Sequence, residues 1–308
     1  VLYVQDRGTK LKAMDDCTLC PRLCHADRNA GRKGACHEDS AVQLARAGLH
    51  MWEEPCISGI QGSGTVFFSG CSMGCVFCQN RPIASGQIGR EVTIERLAEI
   101  FIELQEKNAA NINLVTAGHY VPQVIEALKL ARENGLAVPV VYNSSGYERA
   151  ETVRMLEGWV DIYLPDFKYM DDDLAWKYSG VKEYSFCAKE ALAEMVRQTG
   201  TPVFDGEGMM KKGVIVRHMI LPGHTRDSKE VLRYLHETYG DTIYISIMNQ
   251  YTPMEWAKEY PELSRRLTAR EYKKVIDFCL EIGIENGFTQ EGEAAKESFI
   301  PDFNYEGI

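Results

Sequence analysis

The feature that most constrains this chain is a short loop with three cysteines at spacings of four and three residues, Cys71, Cys75 and Cys78. The loop directly follows the β-prone run 64–69, so the thiols stand at the end of a predicted strand. Three thiolates can bind three corners of a cubane iron–sulfur cluster, and glycines in the loop allow the backbone to wrap round it. One iron then has no cysteine ligand. A zinc knuckle or unrelated buried thiols are the alternatives, but zinc prefers four ligands and no fourth lies nearby in sequence.

A second group of cysteines occupies the N-terminal part of the chain, at Cys17, Cys20, Cys24 and Cys36. Four thiols bracketed by proline and glycine predict a second metal site, either a [4Fe-4S] cluster or a tetrahedral zinc, and the spacing alone does not decide between them. Free cysteines in a small lobe are the other interpretation. Below about 40 residues a lobe rarely builds a core of its own, so a metal would add the missing stability.

The composition excludes several classes of function. Ten cysteines in a chain of 308 residues, grouped in C-x2-C and C-x3-C spacings, favour metal binding in a reducing compartment over a disulfide scaffold. The net charge of −10, with no block of basic residues, argues against a nucleic-acid partner. No apolar run approaches the roughly 18 residues of a membrane helix, and the N-terminus lacks a signal core. We therefore expect no membrane partner and a cytoplasmic location.

From about residue 61 the sequence alternates between β-prone runs and amphipathic helical stretches. The predicted strands are 64–70, 111–117, 138–145, 161–168, 214–221 and 242–250. The predicted helices are 93–107, 121–134, 149–157, 188–199, 228–239 and 268–282. Six β/α repeats predict an α/β fold, a partial (β/α)6 TIM-like barrel whose functional groups lie at the carboxyl ends of the strands. We predict three segments: a cysteine-rich lobe at 1–60, the partial barrel at 61–286 and a C-terminal strap at 287–308.

Polar and small residues cluster at the predicted strand ends. Polar side chains contribute little to a hydrophobic core, so their position indicates a functional site. Strand two ends near Thr116, Ala117 and Gly118, and strand three near Asn143 and Ser144. Small residues there allow the backbone to approach a ligand. The later strand ends carry charged residues, namely Asp166, Lys168 and Arg217.

The cysteine loop resembles the signature of the radical S-adenosylmethionine (SAM) superfamily, C-x3-C-x-aromatic-C, with Phe77 as the aromatic residue. The resemblance implies that Cys71, Cys75 and Cys78 are the catalytic residues that hold a [4Fe-4S] cluster. It also implies that the open iron chelates SAM. An electron from an external one-electron donor of the flavodoxin or ferredoxin type would then cleave the sulfonium to a 5′-deoxyadenosyl radical, with Phe77 beside the adenine. The hard chemistry belongs to the cofactors, and the protein supplies position and shielding.

The same resemblance suggests roles in SAM binding for the strand-end residues. Thr116, Ala117 and Gly118 would face the SAM amino group, although the usual Gly-Gly-Glu is here Ala117-Gly118-His119 and lacks the acid. Asp166 and Lys168 match a D-x-K in the activases of glycyl radical enzymes. The remaining assignments are Arg217 for the SAM carboxylate or the reactive region, Asn143 where those activases often have an aspartate, and Ser144 beside it.

Almost the whole chain resembles the homologues of pyruvate formate-lyase activating enzyme that form the PflX-like group. The carrying stretches include Cys17–Cys24, Glu53–Gly59, Asp161–Tyr169, Leu221–His224 and Met248–Pro253. Three functions remain open. The chain can be an activase that abstracts hydrogen from a glycyl radical enzyme, a radical SAM enzyme for a small molecule or peptide with an auxiliary metal site, or a non-catalytic iron–sulfur electron-transfer protein. The polar rim disfavours the third.

Overall fold

The structure, a computed structural model, describes residues 12–289 and 301–308. Ten strands lie in these ranges: β1 (Val42–His50), β2 (Ser63–Phe68), β3 (Arg90–Val92), β4 (Ile112–Val115), β5 (Val140–Ser144), β6 (Ile162–Pro165), β7 (Val203–Phe204), β8 (Met210–Met219), β9 (Tyr244–Met248) and β10 (Gly287–Thr289).

Nine α-helices occur in the same part of the chain: α1 (Pro55–Ser58), α2 (Arg81–Ala84), α3 (Ile94–Glu106), α4 (Val121–Glu133), α5 (Ala150–Met155), α6 (Asp172–Ser179), α7 (Tyr184–Thr199), α8 (Thr225–Tyr239) and α9 (Ala269–Ile282). Short 3-10 helices cover Lys12–Met14, Gly118–Tyr120, Gly240–Thr242, Glu255–Ala257 and Pro261–Leu263. Within the described ranges, none of the helices combines the length and apolarity needed to cross a membrane.

The strands form one open, mostly parallel sheet in the order β10-β9-β8-β6-β5-β4-β2-β1-β3, with β7 paired to β8. The strands from β2 to β10 along this order are parallel, whereas β1 and β3 are antiparallel additions at one edge. Side chains from β2 and β9, which lie far apart in the order, line the same cavity. The sheet is therefore curved into a partial (β/α)6 barrel, as the sequence predicts.

All six predicted strands and all six predicted helices are present, and their apolar faces meet in one large core. Leu97 and Phe101 of α3, Val124 of α4 and Leu232 of α8 are fully buried in it. A capping box begins α9, because the Thr268 side chain accepts from the Glu271 main-chain amide while the Glu271 carboxylate accepts from the Thr268 main-chain amide. Seven elements were not predicted, namely the strands β1, β3, β7 and β10 and the helices α1, α2 and α6. The predicted lobe at 1–60 includes β1, which pairs with β2 of the main sheet. The boundaries of the three predicted segments remain a prediction.

The described part of the C-terminal tail lies against β1. The Ala47 amide donates to the Glu306 carbonyl at 2.8 Å, and the Tyr305 amide donates to the Ala45 carbonyl at 3.2 Å. The Phe303 ring packs edge-on against Phe67, with ring centroids 5.5 Å apart. Residues Phe299 and Ile300 of the predicted strap fall outside the described residues. The tail thus contacts the opposite end of the sheet from β10, and the strap as a unit remains a prediction.

A buried carboxyl lies behind the end of β4. Glu148 is 5% exposed, and a Cβ atom on Gly118 would stand 2.6 Å from its Oε1. Only glycine therefore leaves room for this carboxyl group. Burial raises the pKa of Glu148 to about 8 because the charged form loses its hydration.

We expect Glu148→Gln to stabilise the protein increasingly as the pH rises. The stabilising contribution of this carboxyl is complete below its ordinary pKa of 4.5 and is lost as the pH rises through about 8, because the folded state binds the proton more tightly. The amide cannot ionise, so the free energy of unfolding should shift in favour of the variant by on the order of 4 kcal/mol from about pH 5 to pH 8. Urea denaturation at several pH values measures this difference. Glu126→Gln on the exposed face of α4 is the control, and a difference that stays constant with pH would contradict the prediction.

Candidate functional site

A cavity of about 270 Å³ opens at the carboxyl ends of the parallel strands. Cys71, Cys75 and Cys78 line it from the loop after β2. The predicted residues Asn143, Ser144, Asp166, Lys168 and Arg217 line it from the ends of β5, β6 and β8. The three thiols and the polar strand ends therefore face one shared space.

The loop with the three thiols is held from outside the cavity by main-chain hydrogen bonds. The Cys71 amide donates to the Cys36 carbonyl at 3.2 Å, and the Gly74 amide to the Ser179 carbonyl at 3.1 Å. The Arg22 side chain donates to the Ser72 carbonyl at 2.8 Å and also to the carbonyl of Gly180. The N-terminal cysteine segment and the end of α6 thus support the loop from two sides.

The chemistry of the three thiols fits an iron–sulfur cluster. Burial raises the pKa of Cys71, Cys75 and Cys78, to about 12 for Cys78, so these thiols would not ionise without nearby positive charge such as iron. The Met73 amide donates to the Cys71 sulfur at 3.4 Å, and the Ser179 hydroxyl donates to the Cys75 sulfur at 3.0 Å. Such donors stabilise thiolate ligands.

The three sulfurs of the loop do not form a site for a single metal ion. Across residues 12–289 and 301–308, no three His, Cys, Asp or Glu side chains are arranged to hold a metal ion. A cubane cluster differs from a single ion in that each thiolate binds a different iron, so its three sulfurs do not converge on one point. The described residues that line the cavity include no fourth cysteine, which leaves a cluster there with one iron free of cysteine ligands.

A buried guanidinium joins the polar strand ends. Nη2 of Arg217 donates to the side-chain oxygen Oδ1 of Asn143 at 2.6 Å, Nη1 to the Glu53 carboxylate at 3.0 Å and Nε to the Asp166 carboxylate at 3.2 Å. The Lys168 ammonium pairs with the other oxygen of Asp166. These contacts build a fixed charged wall beside the three thiols.

The pKa values of this wall follow from burial and from its ion pairs. Burial alone would raise the pKa of Asp166, but Lys168 and Arg217 outweigh it and hold the pKa below its usual value. Burial raises the pKa of Glu53, and Arg217 offsets only part of that shift. Burial would lower the pKa of Lys168, but the charge of Asp166 outweighs burial, and the net effect raises that pKa above its usual value. Asp166, Lys168 and Arg217 are therefore charged near neutral pH.

Of the other predicted cofactor-binding residues, Phe77 and Thr116 line the cavity, whereas Ala117 and Gly118 are not part of its lining. Thr116 has a φ of +63°, which is rare for a β-branched side chain and is typical of functional sites. His119, where the superfamily usually has an acid, points away from the cavity. Its Nε2 donates to the Ser69 carbonyl at 2.7 Å, and burial lowers its pKa to about 3. His119 therefore ties the end of β4 to the segment before Cys71.

Several cavity residues were not found from the sequence. Glu53 lies in the connection after β1. Its other carboxylate oxygen accepts from the side-chain amide of Asn113 at 3.0 Å. Pro301 comes from the C-terminal tail. An acidic pair before Pro55 was the only local signal for Glu53, because its partner Arg217 is 164 residues away.

The second cysteine group lies behind the loop, with Cys17, Cys20 and Cys36 buried and Cys24 exposed. A Cβ atom on Gly34 would lie 3.2 Å from the Cys24 sulfur and 3.4 Å from the Cys36 sulfur. The fully buried Arg28 donates to the Cys17 sulfur at 3.7 Å and to the His119 carbonyl at 2.5 Å. Cys24 and Cys36 are thus near each other, but no three of the four thiols are arranged to hold a single metal ion, and a metal among them remains a prediction.

Comparison with known proteins gives relatives of several kinds. An uncharacterized protein of Methanocaldococcus jannaschii is 29% identical over 279 residues, 88% of this chain and 76% of the relative. The pyruvate formate-lyase-activating enzyme of Clostridium pasteurianum is 27% identical over 176 residues, 55% of this chain and 66% of that enzyme. A crystal structure of Streptococcus suis SuiB bound to S-adenosylmethionine is 11% identical with a TM-score of 0.47, covering 73% of this chain and 49% of SuiB. The chain spans about half the length of that solved structure.

A comparison with models of protein families assigns the chain to a family. The model of the radical SAM superfamily matches residues 65–235, more than half of the chain, and the match includes the three-cysteine loop. This chain belongs to the radical SAM superfamily.

Proposed function

We propose that this chain is an enzyme that uses Cys71, Cys75 and Cys78 to hold a [4Fe-4S] cluster and cleaves SAM reductively. The observation that carries the proposal is the shared cavity, in which three half-buried cysteines face the charged wall of Asp166, Lys168 and Arg217. When bound, the cluster supplies the electron that converts SAM into methionine and a 5′-deoxyadenosyl radical able to abstract hydrogen. That electron comes from an external donor of the flavodoxin or ferredoxin type.

The charged wall would orient SAM. Lys168 and Arg217 retain N–H groups beyond those used by Asp166, Glu53 and Asn143, so both can donate to the SAM carboxylate. The SAM ammonium requires acceptors, and the Thr116 hydroxyl with main-chain carbonyls at the end of β4 can supply them. Groups already fixed by ion pairs need little reorganisation when a charged ligand arrives.

Aromatic and apolar residues would exclude water from the reacting centre. Phe77 is 5% exposed, and its ring lies 6.4 Å from the Tyr251 ring, centroid to centroid. Tyr251 and Thr252 cover the cavity from the connection after β9, and Pro301 covers it from the tail. We propose that Phe77 flanks the adenine, where shielding prevents side reactions of a reactive intermediate.

Two classes of substrate are candidates for the hydrogen donor. Similarity to a pyruvate formate-lyase-activating enzyme supports an activase that acts on a glycyl radical enzyme. Tyr251, Thr252 and Pro301 line part of the cavity, whose volume of about 270 Å³ favours a small molecule or a peptide instead. Both share the same SAM chemistry and the proposed cytoplasmic setting, in which soluble electron donors are available.

We expect Cys75→Ala to abolish SAM cleavage, since removal of one of three thiolate ligands prevents retention of the cluster. The chain is reconstituted anaerobically with iron and sulfide and reduced, and 5′-deoxyadenosine and methionine are quantified by mass spectrometry. Cys279→Ala on α9, which removes a buried thiol outside the cavity, is the matched control and should retain activity. Equal product from wild type and Cys75→Ala would refute the proposed function.

We expect Arg217→Ala and Asp166→Ala to weaken SAM binding while the iron content stays unchanged. Each variant loses or misplaces a charge-assisted hydrogen bond worth on the order of 1.5–3 kcal/mol, so SAM affinity should fall roughly tenfold or more. Equilibrium binding to the reconstituted proteins measures this. Arg132→Ala on α4, which removes an exposed arginine bonded to main-chain carbonyls, controls for general destabilisation. Unchanged affinity in both cavity variants would assign these residues a structural role.

We also expect metal in a variant that lacks Cys71, Cys75 and Cys78, bound by Cys17, Cys20, Cys24 and Cys36. Iron, sulfide and zinc are quantified in the purified protein. About four irons per chain would indicate an auxiliary [4Fe-4S] cluster and one zinc a structural site, as each needs these four thiolates. Replacement of Cys56, a buried cysteine outside both groups, is the control. A protein without metal would disprove the second site.

A further inference from the structure

A hydroxyl group outside the cavity contacts one of the three thiols of the loop. Ser179, the last residue of α6, is fully buried, and its Oγ lies 3.0 Å from the Cys75 sulfur across 104 residues of sequence. The same Oγ lies 2.7 Å from the hydroxyl of Tyr169, which is also fully buried. The binding roles proposed above use neither hydroxyl.

The direction of these hydrogen bonds follows from counting protons. A thiolate sulfur can only accept, so the Ser179 hydroxyl donates to Cys75. The Ser179 oxygen is then free to accept from Tyr169, whose pKa burial raises well above its usual value, so that it keeps its proton. Linked hydroxyls polarise one another, and the chain from Tyr169 through Ser179 strengthens the final bond to sulfur.

The contact is held in place on both sides of Cys75. The Gly74 amide donates to the Ser179 carbonyl at 3.1 Å, and the Val76 amide donates to the Tyr178 carbonyl at 2.8 Å. The Tyr169 ring packs against Tyr184 with centroids 5.3 Å apart. The main-chain bonds therefore hold Ser179 beside Cys75, and the ring packing holds Tyr169 beside Tyr184.

We infer that Ser179 is a positioning residue that acts through Cys75 to raise the reduction potential of the cluster. The inference rests on the proposed function. When the cluster takes up one electron from a reductant, its negative charge increases, and a hydrogen bond to a ligand sulfur stabilises the reduced form more than the oxidised form. No bond of the protein is made or broken in this step. Ser179 thus eases a reduction that SAM cleavage requires.

The test is a mediated redox titration of the anaerobically reconstituted full chain, with the reduced cluster followed by electron paramagnetic resonance. Ser179→Ala should lower the midpoint potential. At a fixed solution potential the ratio of reduced to oxidised cluster should fall about tenfold, which corresponds to about 59 mV for one electron. Tyr169→Phe should lower the midpoint potential by a smaller amount. Ser179→Thr, which keeps the hydroxyl, should have the wild-type potential. Ser185→Ala on α7, which removes a hydroxyl bonded to Asp172, should not shift it.

The outcomes separate this inference from the proposed function. A wild-type chain that assembles no cluster overturns both. Intact clusters with equal potentials in wild type and Ser179→Ala overturn the inference alone. If Ser179→Ala fails to retain a cluster, Tyr169→Phe decides: a lowered potential supports the inference, and an unchanged potential overturns it.

Discussion

A single buried guanidinium determines how the carboxyl ends of the sheet fit together. Arg217 on β8 reaches Asp166 beyond β6, Asn143 on β5 and Glu53 in the connection after β1. Removal of such charges from water costs several kcal/mol per ion, and only a complete set of partners offsets that cost. Displacement of β8 would separate the guanidinium from all three partners. The strand ends are therefore mutually dependent.

The loop that carries Cys71 has a support of a different kind. Its main chain is bonded to the N-terminal cysteine segment on one side and to the end of α6 on the other. Arg28 and His119 extend this support to the end of β4. The charged wall and the thiol loop thus belong to one rigid frame, which suits a site that must hold two cofactors in fixed relation.

The barrel strands, their helices and the thiol loop could be predicted from the sequence because their signals are local: runs of apolar residues, a capping box at Thr268 and three cysteines in eight residues. Asp166, Lys168 and Arg217 could be placed at the cavity because strand ends of parallel sheets meet at one edge. Glu53 and Ser179 could not be assigned, since their roles arise from contacts across 164 and 104 residues. A small residue is required at position 118, as the sequence predicts, but for a different reason. Gly118 leaves room for the Glu148 carboxyl group and not for a ligand.

The fit of Gly70 between the two cysteine groups limits how this protein can be divided. Its φ is +85°, and a Cβ atom there would lie 2.6 Å from the Cys36 carbonyl oxygen and 2.5 Å from Cγ of Glu38. The backbone before Cys71 therefore lies directly on the N-terminal cysteine segment. That segment is not a transplantable module: its excision, or its exchange for that of a relative, would unseat the loop of Cys71 even with every residue of the barrel unchanged. Chimeras built from this chain must carry the two cysteine groups together.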